Sequence, residues 1–213
     1  MPARTEQKAR LLDLTTKVLE LARDGNRDIE QVCKVFQIIK DKPNFPLFLL
    51  EKRLPLRIWP LKLGPGPLPD DNFREHLQTA LEDFETDHWA RKVLEKIDLF
   101  RLEAAITVGV FSVADLGFKE ETRWINILKR AEEFDFFPCP AEVGPRLRLK
   151  YRDQPNGEQV LIAMKKEIDP NNNSGVFCLK NRDGVLGLRS HLFFQGEVPY
   201  ILPETLIAFR ISR

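Results

Sequence analysis

The sequence has few cysteines, no long apolar run and no excess of charge of either sign. Its three cysteines, Cys33, Cys139 and Cys178, are an odd number and form no CxxC pair, which fits a reducing compartment better than a disulfide framework. The most apolar stretch, residues 45–50, is far too short to span a bilayer. Thirty-three basic and 32 acidic residues leave a net charge of +1, so no global field favours nucleic acid or a membrane.

These absences favour a cytoplasmic globular protein. Arg4, Glu6, Lys8 and Arg10 interrupt any apolar run near the first residue, so no signal peptide is expected. Hydrophobic residues make up 43% and charged residues 31% of the 213 residues, values that exclude wholesale disorder, collagen-like repeats and a disulfide-stapled miniprotein. A chain of this length buries enough surface for a core, in one large domain or two small ones.

Charge is unevenly spread along the chain. Basic against acidic residues number 12 and 8 in residues 1–60, 10 and 16 in residues 61–140, and 11 and 8 in residues 141–213. Solvated helix faces are the ordinary reason for such modest blocks. The alternative is that the acidic middle segment docks a basic partner.

Apolar residues at helical spacing predict two helices near the N-terminus. Residues 5–24 place an apolar face on one side of a helix, and Gly25 suits its C-terminal end. A second helix, capped by Asn26, continues until Pro43 stops it. We expect the two helices to form an antiparallel hairpin.

Residues 43–69 contain seven of the fifteen prolines, which excludes a long helix there. The segment is also rich in large apolar side chains, including Phe48, Ile58 and Trp59, that need burial. It is therefore predicted to be an extended strap over the core, ending at the GPGP turn of residues 64–67. The burial requirement disfavours a PxxP ligand.

The rest of the chain predicts helices first and strands last. A helix starts at Asp70 or Asp71, Thr86 caps the next one, residues 104–113 are rich in β-formers, and a further helix covers residues 122–133. Short strands are predicted at 146–151, 159–165, 176–180, 185–190 and 205–211, with turns at 170–175 and 181–184.

This order predicts an α+β fold, with an N-terminal helical half, made of the helical hairpin and further helices, and a C-terminal antiparallel β-sheet. Three segments follow from it. They are the hairpin and strap (1–69), a mixed middle (70–138) and a β-rich end (139–213), either separate or all one domain.

The stretch 139–158, CPAEVGPRLRLKYRDQPNGE, resembles a segment of a family of uncharacterised bacterial proteins. Residues 21–39, LARDGNRDIEQVCKVFQII, are similar to the N-terminal part of the same family, and SVADLGF at 112–118 also fits it. The resemblance implies a bacterial source and a helical N-terminal half joined to a β-rich end. It implies no activity.

The densest polar cluster of the sequence is the candidate binding site. On a strand covering 146–151, Arg146, Arg148 and Lys150 would share one face. Three cations in a row suit a phosphate or a carboxylate, and Gln154 and Glu158 would lie at the strand ends. The predicted ligand is an acidic protein partner or a small anion. A solvated sheet face is the competing interpretation.

Two other functions remain open. Glu142, Asp153 and Glu158 could be the acid and base of a hydrolase, although residues 153–157 are also typical of a turn. The N-terminal hairpin carries basic residues such as Arg23 and Lys34 that could contact nucleic acid. Acidic residues alternate with them and no nucleic-acid-binding motif is present, so nucleic acid is not the expected partner.

Other chemistry is disfavoured. Cys139 lies between two prolines with no base nearby, which predicts a buried structural thiol rather than a nucleophile. The cysteines and the histidines His76, His88 and His191 lack the spacing of a zinc site. A lone Gly117 is too little for a phosphate loop. We therefore predict neither a metal nor a cofactor, and a cytoplasmic binding protein without chemistry of its own.

Overall fold

The computed structural model describes residues 55–66, 71–168, 174–193 and 200–211. The chain divides into two units, residues 1–58 and 59–213, and nearly all described residues belong to the second. The predicted helical hairpin, the first part of the strap and most of the turn at 170–175 lie outside the described residues. The three predicted segments stay a prediction.

In the described part of the chain, four helices are interleaved with the first four strands, and six strands follow without a helix among them. The strands are β1 (Arg57–Leu63), β2 (Glu85–Thr86), β3 (Ala104–Ser112), β4 (Thr122–Arg123), β5 (Gln159–Ile162), β6 (Glu167–Ile168), β7 (Ser174–Arg182), β8 (Val185–Phe193), β9 (Tyr200–Ile201) and β10 (Leu206–Arg210). The helices are α1 (Phe73–Ala80), α2 (His88–Leu94), α3 (Trp124–Glu132) and α4 (Val143–Lys150), with a 3₁₀ turn at Ala114–Leu116.

Eight of the strands form one mixed sheet. Its order is β1-β3-β10-β5-β7-β8-β2, with β6 paired to β7, and β4 pairs with β9 in a separate two-stranded ribbon. The last strand, β10, lies between β3 and β5, antiparallel to the first and parallel to the second. A second parallel pair joins β2 to β8.

The predicted fold class is therefore wrong in two respects. The sheet is mixed rather than antiparallel, because β10 returns to the middle of the sheet instead of pairing with the strand before it. The described helices are not an N-terminal half either, since they are interleaved with the strands from β1 onwards. Sheet order depends on contacts between distant segments, which local sequence patterns do not contain.

The central strands are buried on both faces. Residues 106–111, 160–164, 175–179 and 207–209 are continuous buried runs, as expected where helices and loops cover both sides of a sheet. Phe111 stacks on Phe136 with ring centroids 4.3 Å apart. Helix α4 lies so close to β7 that a Cβ atom added at Gly144 would be only 2.6 Å from the Phe177 ring.

The prediction of a strand at 146–151 is also wrong, because residues 146–150 belong to α4 and Tyr151 caps its C-terminal end. The alternation of Leu147, Leu149 and Tyr151 imitates a strand, yet Val143, Leu147 and Tyr151 are spaced by four residues as on a helix face. Those three are buried and Leu149 is half-buried. Pro145 does not prevent the helix, since it lies in the first turn, where its missing N–H has no helical partner.

Most other local predictions are confirmed. The predicted strands at 104–113, 159–165, 176–180, 185–190 and 205–211 correspond to β3, β5, β7, β8 and β10. The turn at 181–184 is a two-residue hairpin loop, with φ of 54° at Asp183 and 83° at Gly184, which is the geometry of a type I′ turn. The predicted strap is extended at 57–63 but forms the edge strand β1. No helix among the described residues is long and apolar enough to cross a membrane.

Candidate functional site

The predicted basic face does not form, because its three cations lie on a helix. A helix turns by about 100° per residue, so Arg146 and Lys150 lie on one side of α4 and Arg148 on the opposite side. Arg148 is fully buried and Lys150 is exposed. The structure brings the predicted residues near one another along α4 and the loop that follows, but not onto one exposed surface. Their role in binding stays a prediction.

Glu142 and Arg146 join α4 to two distant loops. Glu142 is fully buried, and its Oε1 accepts hydrogen bonds from Gly64 N at 2.6 Å and Arg146 Nε at 3.2 Å. Its Oε2 accepts from Phe100 N at 2.9 Å. Arg146 also donates to the Gly64 carbonyl oxygen and lies 4.6 Å from the centre of the Phe73 ring. Glu142 thus binds both the main chain that leaves β1 and the main chain that enters β3, and Arg146 binds the first of these.

Arg148 is a buried cation without an ion pair among the described residues. Its guanidinium donates to Gln154 Oε1 at 2.5 Å and to the Tyr151 carbonyl oxygen, and it lies 5.3 Å from the centre of the Phe84 ring. The Nε atom has no hydrogen-bond partner. Burial lowers the pKa of Arg148 to about 10, so the group is still charged at neutral pH. The side chain has no exposed surface, so an external anion does not reach it in this arrangement.

The amide side chains of Gln154 and Asn181 hold the loop between α4 and β5 in place through hydrogen bonds. Gln154 Nε2 donates to the carbonyl oxygens of Glu158 and Leu179, both at 3.2 Å. Asn181 Nδ2 donates to the Gln154 carbonyl oxygen at 2.7 Å, and the Asn181 carbonyl oxygen accepts from Gly157 N at 2.9 Å. Gln154, predicted as a ligand contact, therefore holds the loop against β7.

The remaining predicted residues also make internal contacts. Glu158 Oε2 accepts a hydrogen bond from the Tyr151 hydroxyl at 2.6 Å. Lys150 Nζ donates to the Pro60 carbonyl oxygen at 2.6 Å, and burial lowers its pKa. Asp153 is exposed. Of the three carboxylates of the hydrolase hypothesis, Glu142 has both oxygens hydrogen-bonded to internal donors.

The cysteines, a metal site and a phosphate loop at Gly117 were disfavoured as sites of chemistry. Cys139 is buried, as predicted, and so is Cys178; burial raises the pKa of each to about 12. Cys33 lies outside the described residues. No group of three metal-binding side chains occurs within the described ranges. Gly117 has a φ of 97° at the end of the 3₁₀ turn.

A cleft of about 590 Å³ between α1 and α2 was not predicted as a site. It combines an apolar surface with a rim of carboxylates and other polar groups. Its lining residues are Glu75, Gln78, Thr79, Leu81, Glu82, Phe84, Thr86, Arg91, Leu94 and Glu95.

Helical periodicity explains this lining. Four of the lining residues follow one side of α1 and the turn after it. Gln78, Thr79 and Glu82 come three, four and seven positions after Glu75, which is the spacing of one helix face. On α2, Arg91, Leu94 and Glu95 repeat with the same spacing. The buried side chains of Leu81, Phe84 and Leu94 form the apolar part of the lining.

Two sets of hydrogen bonds fix the helices that form the cleft. Arg74 on α1 donates to the carbonyl oxygens of Leu94 at 2.5 Å and Ile97 at 2.7 Å, where the end of α2 leaves carbonyl groups without helical partners. Asp87, rather than the predicted Thr86, caps α2, accepting from Ala90 N at 2.8 Å. Its other oxygen accepts from Ser190 N at 2.7 Å and Ser190 Oγ at 2.8 Å, which ties α2 to β8.

The cleft is acidic, with three glutamates against one arginine. Glu75 and Glu82 form no ion pair with another described residue, whereas Glu95 pairs with Lys92 at 3.2 Å. Arg91 Nε donates to the Thr86 carbonyl oxygen at 2.9 Å. The sequence contained two signals for this site: the acidic middle segment, and polar residues at helical spacing on two consecutive helices.

Comparisons with known proteins identify no relative of this chain. No protein-family model, no curated protein and no solved structure matches the chain.

Proposed function

We propose that residues 59–213 are a binding module, and that the cleft between α1 and α2 docks a positively charged segment of a partner protein. The observation that carries the proposal is the combination of a fixed cleft, an apolar lining and two rim carboxylates without ion pairs, Glu75 and Glu82. A lysine or arginine side chain suits such a site, because its aliphatic stem packs on apolar surface while its charge meets a carboxylate.

The partner that we propose is therefore basic, whereas the sequence analysis favoured an acidic one. An acidic partner was inferred from three cations on one sheet face, and these residues lie on a helix with Arg148 fully buried. A basic partner for the acidic middle segment was the alternative. The cleft lies in this segment, which supports that alternative. We place the protein in the cytoplasm, where the free thiols Cys139 and Cys178 stay reduced.

The test is peptide binding to the full-length protein. A fluorescently labelled peptide with alternating lysine and leucine residues serves as the probe, and its glutamate counterpart as the negative probe. Fluorescence anisotropy should show binding of the lysine peptide only. The affinity should fall with added salt, since exposed charges are screened. The double variant Glu75→Gln, Glu82→Gln should weaken binding by roughly three- to tenfold, as expected for two exposed ion pairs.

A matched control removes the same charge elsewhere. Glu120 and Glu121 are exposed and do not line the cleft. The double variant Glu120→Gln, Glu121→Gln should bind the lysine peptide like the wild type. Equal weakening by both double variants would mean that net charge alone attracts the peptide, and the proposal would then be wrong. Absence of binding to the wild type would also refute it.

A further inference from the structure

Asn156 and Gly157, the one Asn-Gly pair of the sequence, form an exposed turn in the loop between α4 and β5. Residues 155–157 are exposed, and Glu158 N donates to the Pro155 carbonyl oxygen at 3.1 Å. The angle φ is 80° at Gly157 and negative at Asn156. This is the geometry of a type II turn with Asn156 and Gly157 at its centre.

An asparagine that precedes a glycine can react with its own main chain. The Gly157 nitrogen loses its proton to solvent and forms a bond to Cγ of Asn156. The side-chain nitrogen of Asn156 takes up a proton and leaves as ammonia, which closes a cyclic imide. Water then opens this ring at one of its two carbonyl carbons and leaves either aspartate or isoaspartate. Glycine favours the reaction because it has no Cβ to hinder the approach of the nitrogen.

The closed loop holds the reacting groups apart. Gly157 N donates to the main-chain carbonyl oxygen of Asn181 at 2.9 Å, and turning this peptide group towards Asn156 Cγ would break that hydrogen bond. Asn156 Oδ1 accepts from Gly184 N at 3.4 Å, which draws the carboxamide towards the turn between β7 and β8. Loops open locally at a much lower cost than global unfolding, so the reaction proceeds from the open loop.

We propose that Asn156 is a site of spontaneous deamidation, and that its rate is set by how often the loop between α4 and β5 opens. The inference is independent of the cleft and of its ligand. Deamidation to isoaspartate adds one carbon to the main chain at the centre of the turn. The hydrogen bond from Glu158 to Pro155 spans this position, so the modified loop loses the turn that closes it.

The variant Asn181→Ala loosens the loop without removing either reacting group. It deletes the hydrogen bond from Asn181 Nδ2 to the Gln154 carbonyl oxygen, 2.7 Å long, and keeps the main-chain carbonyl that binds Gly157. Its Oδ1 has no hydrogen-bond partner in the described part of the chain, so no other side-chain bond is lost. The loss of one hydrogen bond should raise the population of the open loop, and with it the deamidation rate, about three- to tenfold.

The experiment follows deamidation of the full-length protein by mass spectrometry of its proteolytic peptides during incubation at mildly alkaline pH. The folded wild type should deamidate at Asn156 at least about tenfold more slowly than the wild type unfolded in guanidinium chloride. Asn181→Ala should deamidate faster than the folded wild type by the factor given above. The matched control is Asn126→Ala, which removes an exposed asparagine from α3 and should deamidate at Asn156 like the wild type.

Each contrary result refutes a different part of the proposal. If the unfolded chain shows no deamidation at Asn156, the site is wrong. Equal rates in the folded and unfolded wild type, or in Asn181→Ala and the folded wild type, would show that the loop does not control the reaction. If Asn181→Ala does not fold, hydrogen exchange of the wild type decides instead. The protection of the Gly157 amide should then match the slowing of deamidation by folding, and an unprotected amide would refute the control by the loop.

Discussion

Replacing Arg148 with methionine tests whether the buried cation of α4 stabilises the fold. Methionine fills part of the same space with a flexible apolar chain and removes both hydrogen bonds of the guanidinium. Gln154 Oε1 then loses a donor at 2.5 Å, and the Tyr151 carbonyl oxygen loses its donor from the same guanidinium. Both acceptors belong to buried residues, so water cannot freely replace the lost partners.

The expected loss is a difference between two effects. Each buried acceptor left without a donor costs about 1–3 kcal/mol, and the contact with the Phe84 ring at 5.3 Å adds about 0.5–2 kcal/mol. Against this, the variant no longer buries a charge whose Nε has no partner. We expect a net decrease of about 2–4 kcal/mol in the free energy of unfolding, or roughly 5–15 °C in Tm for a chain of this size.

Chemical denaturation measures this difference. Urea unfolding followed by tryptophan fluorescence reports on the buried residues Trp89 and Trp124. The control is Lys150→Met on the same helix, where an exposed cation with one hydrogen bond to Pro60 is removed; its effect should stay within about 1 kcal/mol. If Arg148→Met is as stable as the wild type or more so, the cost of burying the charge exceeds the value of its hydrogen bonds, and the stabilising role assigned to Arg148 is refuted.

Two further predictions concern stability. Burial lowers the pKa of His191 below 6.5, so the unfolded chain binds a proton that the folded chain does not. The His191 contribution is therefore complete above pH 6.5 and is lost as the pH falls below it. The variant His191→Gln should flatten this part of the stability profile, and an unchanged profile would contradict the assignment. Gly144→Ala places a Cβ 2.6 Å from the Phe177 ring; we expect a loss of about 1–3 kcal/mol, and a neutral effect in denaturant unfolding would show that α4 and β7 can separate freely.

The strands were predictable one by one, but their arrangement was not. Runs such as 104–113 and 205–211 are rich in β-formers and bounded by turn residues, and both form strands. The position of β10 between β3 and β5 depends on pairing across distant parts of the chain. The segment 146–151 was misassigned because its apolar spacing fits both a strand and a helix.

The roles of the charged residues were the least predictable. Charged side chains are rarely fully buried, so Arg148 was expected on a basic sheet face, and Glu142 was considered only as an acid or base of a hydrolase. Their partners include the main chain at Gly64 and Phe100 and the side chain of Gln154, and the first two are far away in the sequence. The cleft could be anticipated only in part: helical spacing predicts the polar faces of α1 and α2, whereas their packing depends on Arg74.

The central claim is that the cleft between α1 and α2 is the binding surface, and nuclear magnetic resonance tests it most directly. The lysine-leucine peptide is titrated into uniformly ¹⁵N-labelled full-length protein, and amide shifts are followed residue by residue. The account predicts that the largest changes occur at residues 75–95, on both helices that form the cleft. Shifts concentrated on α4 and the loop at 152–158 would contradict it and return the site to the cluster predicted from the sequence.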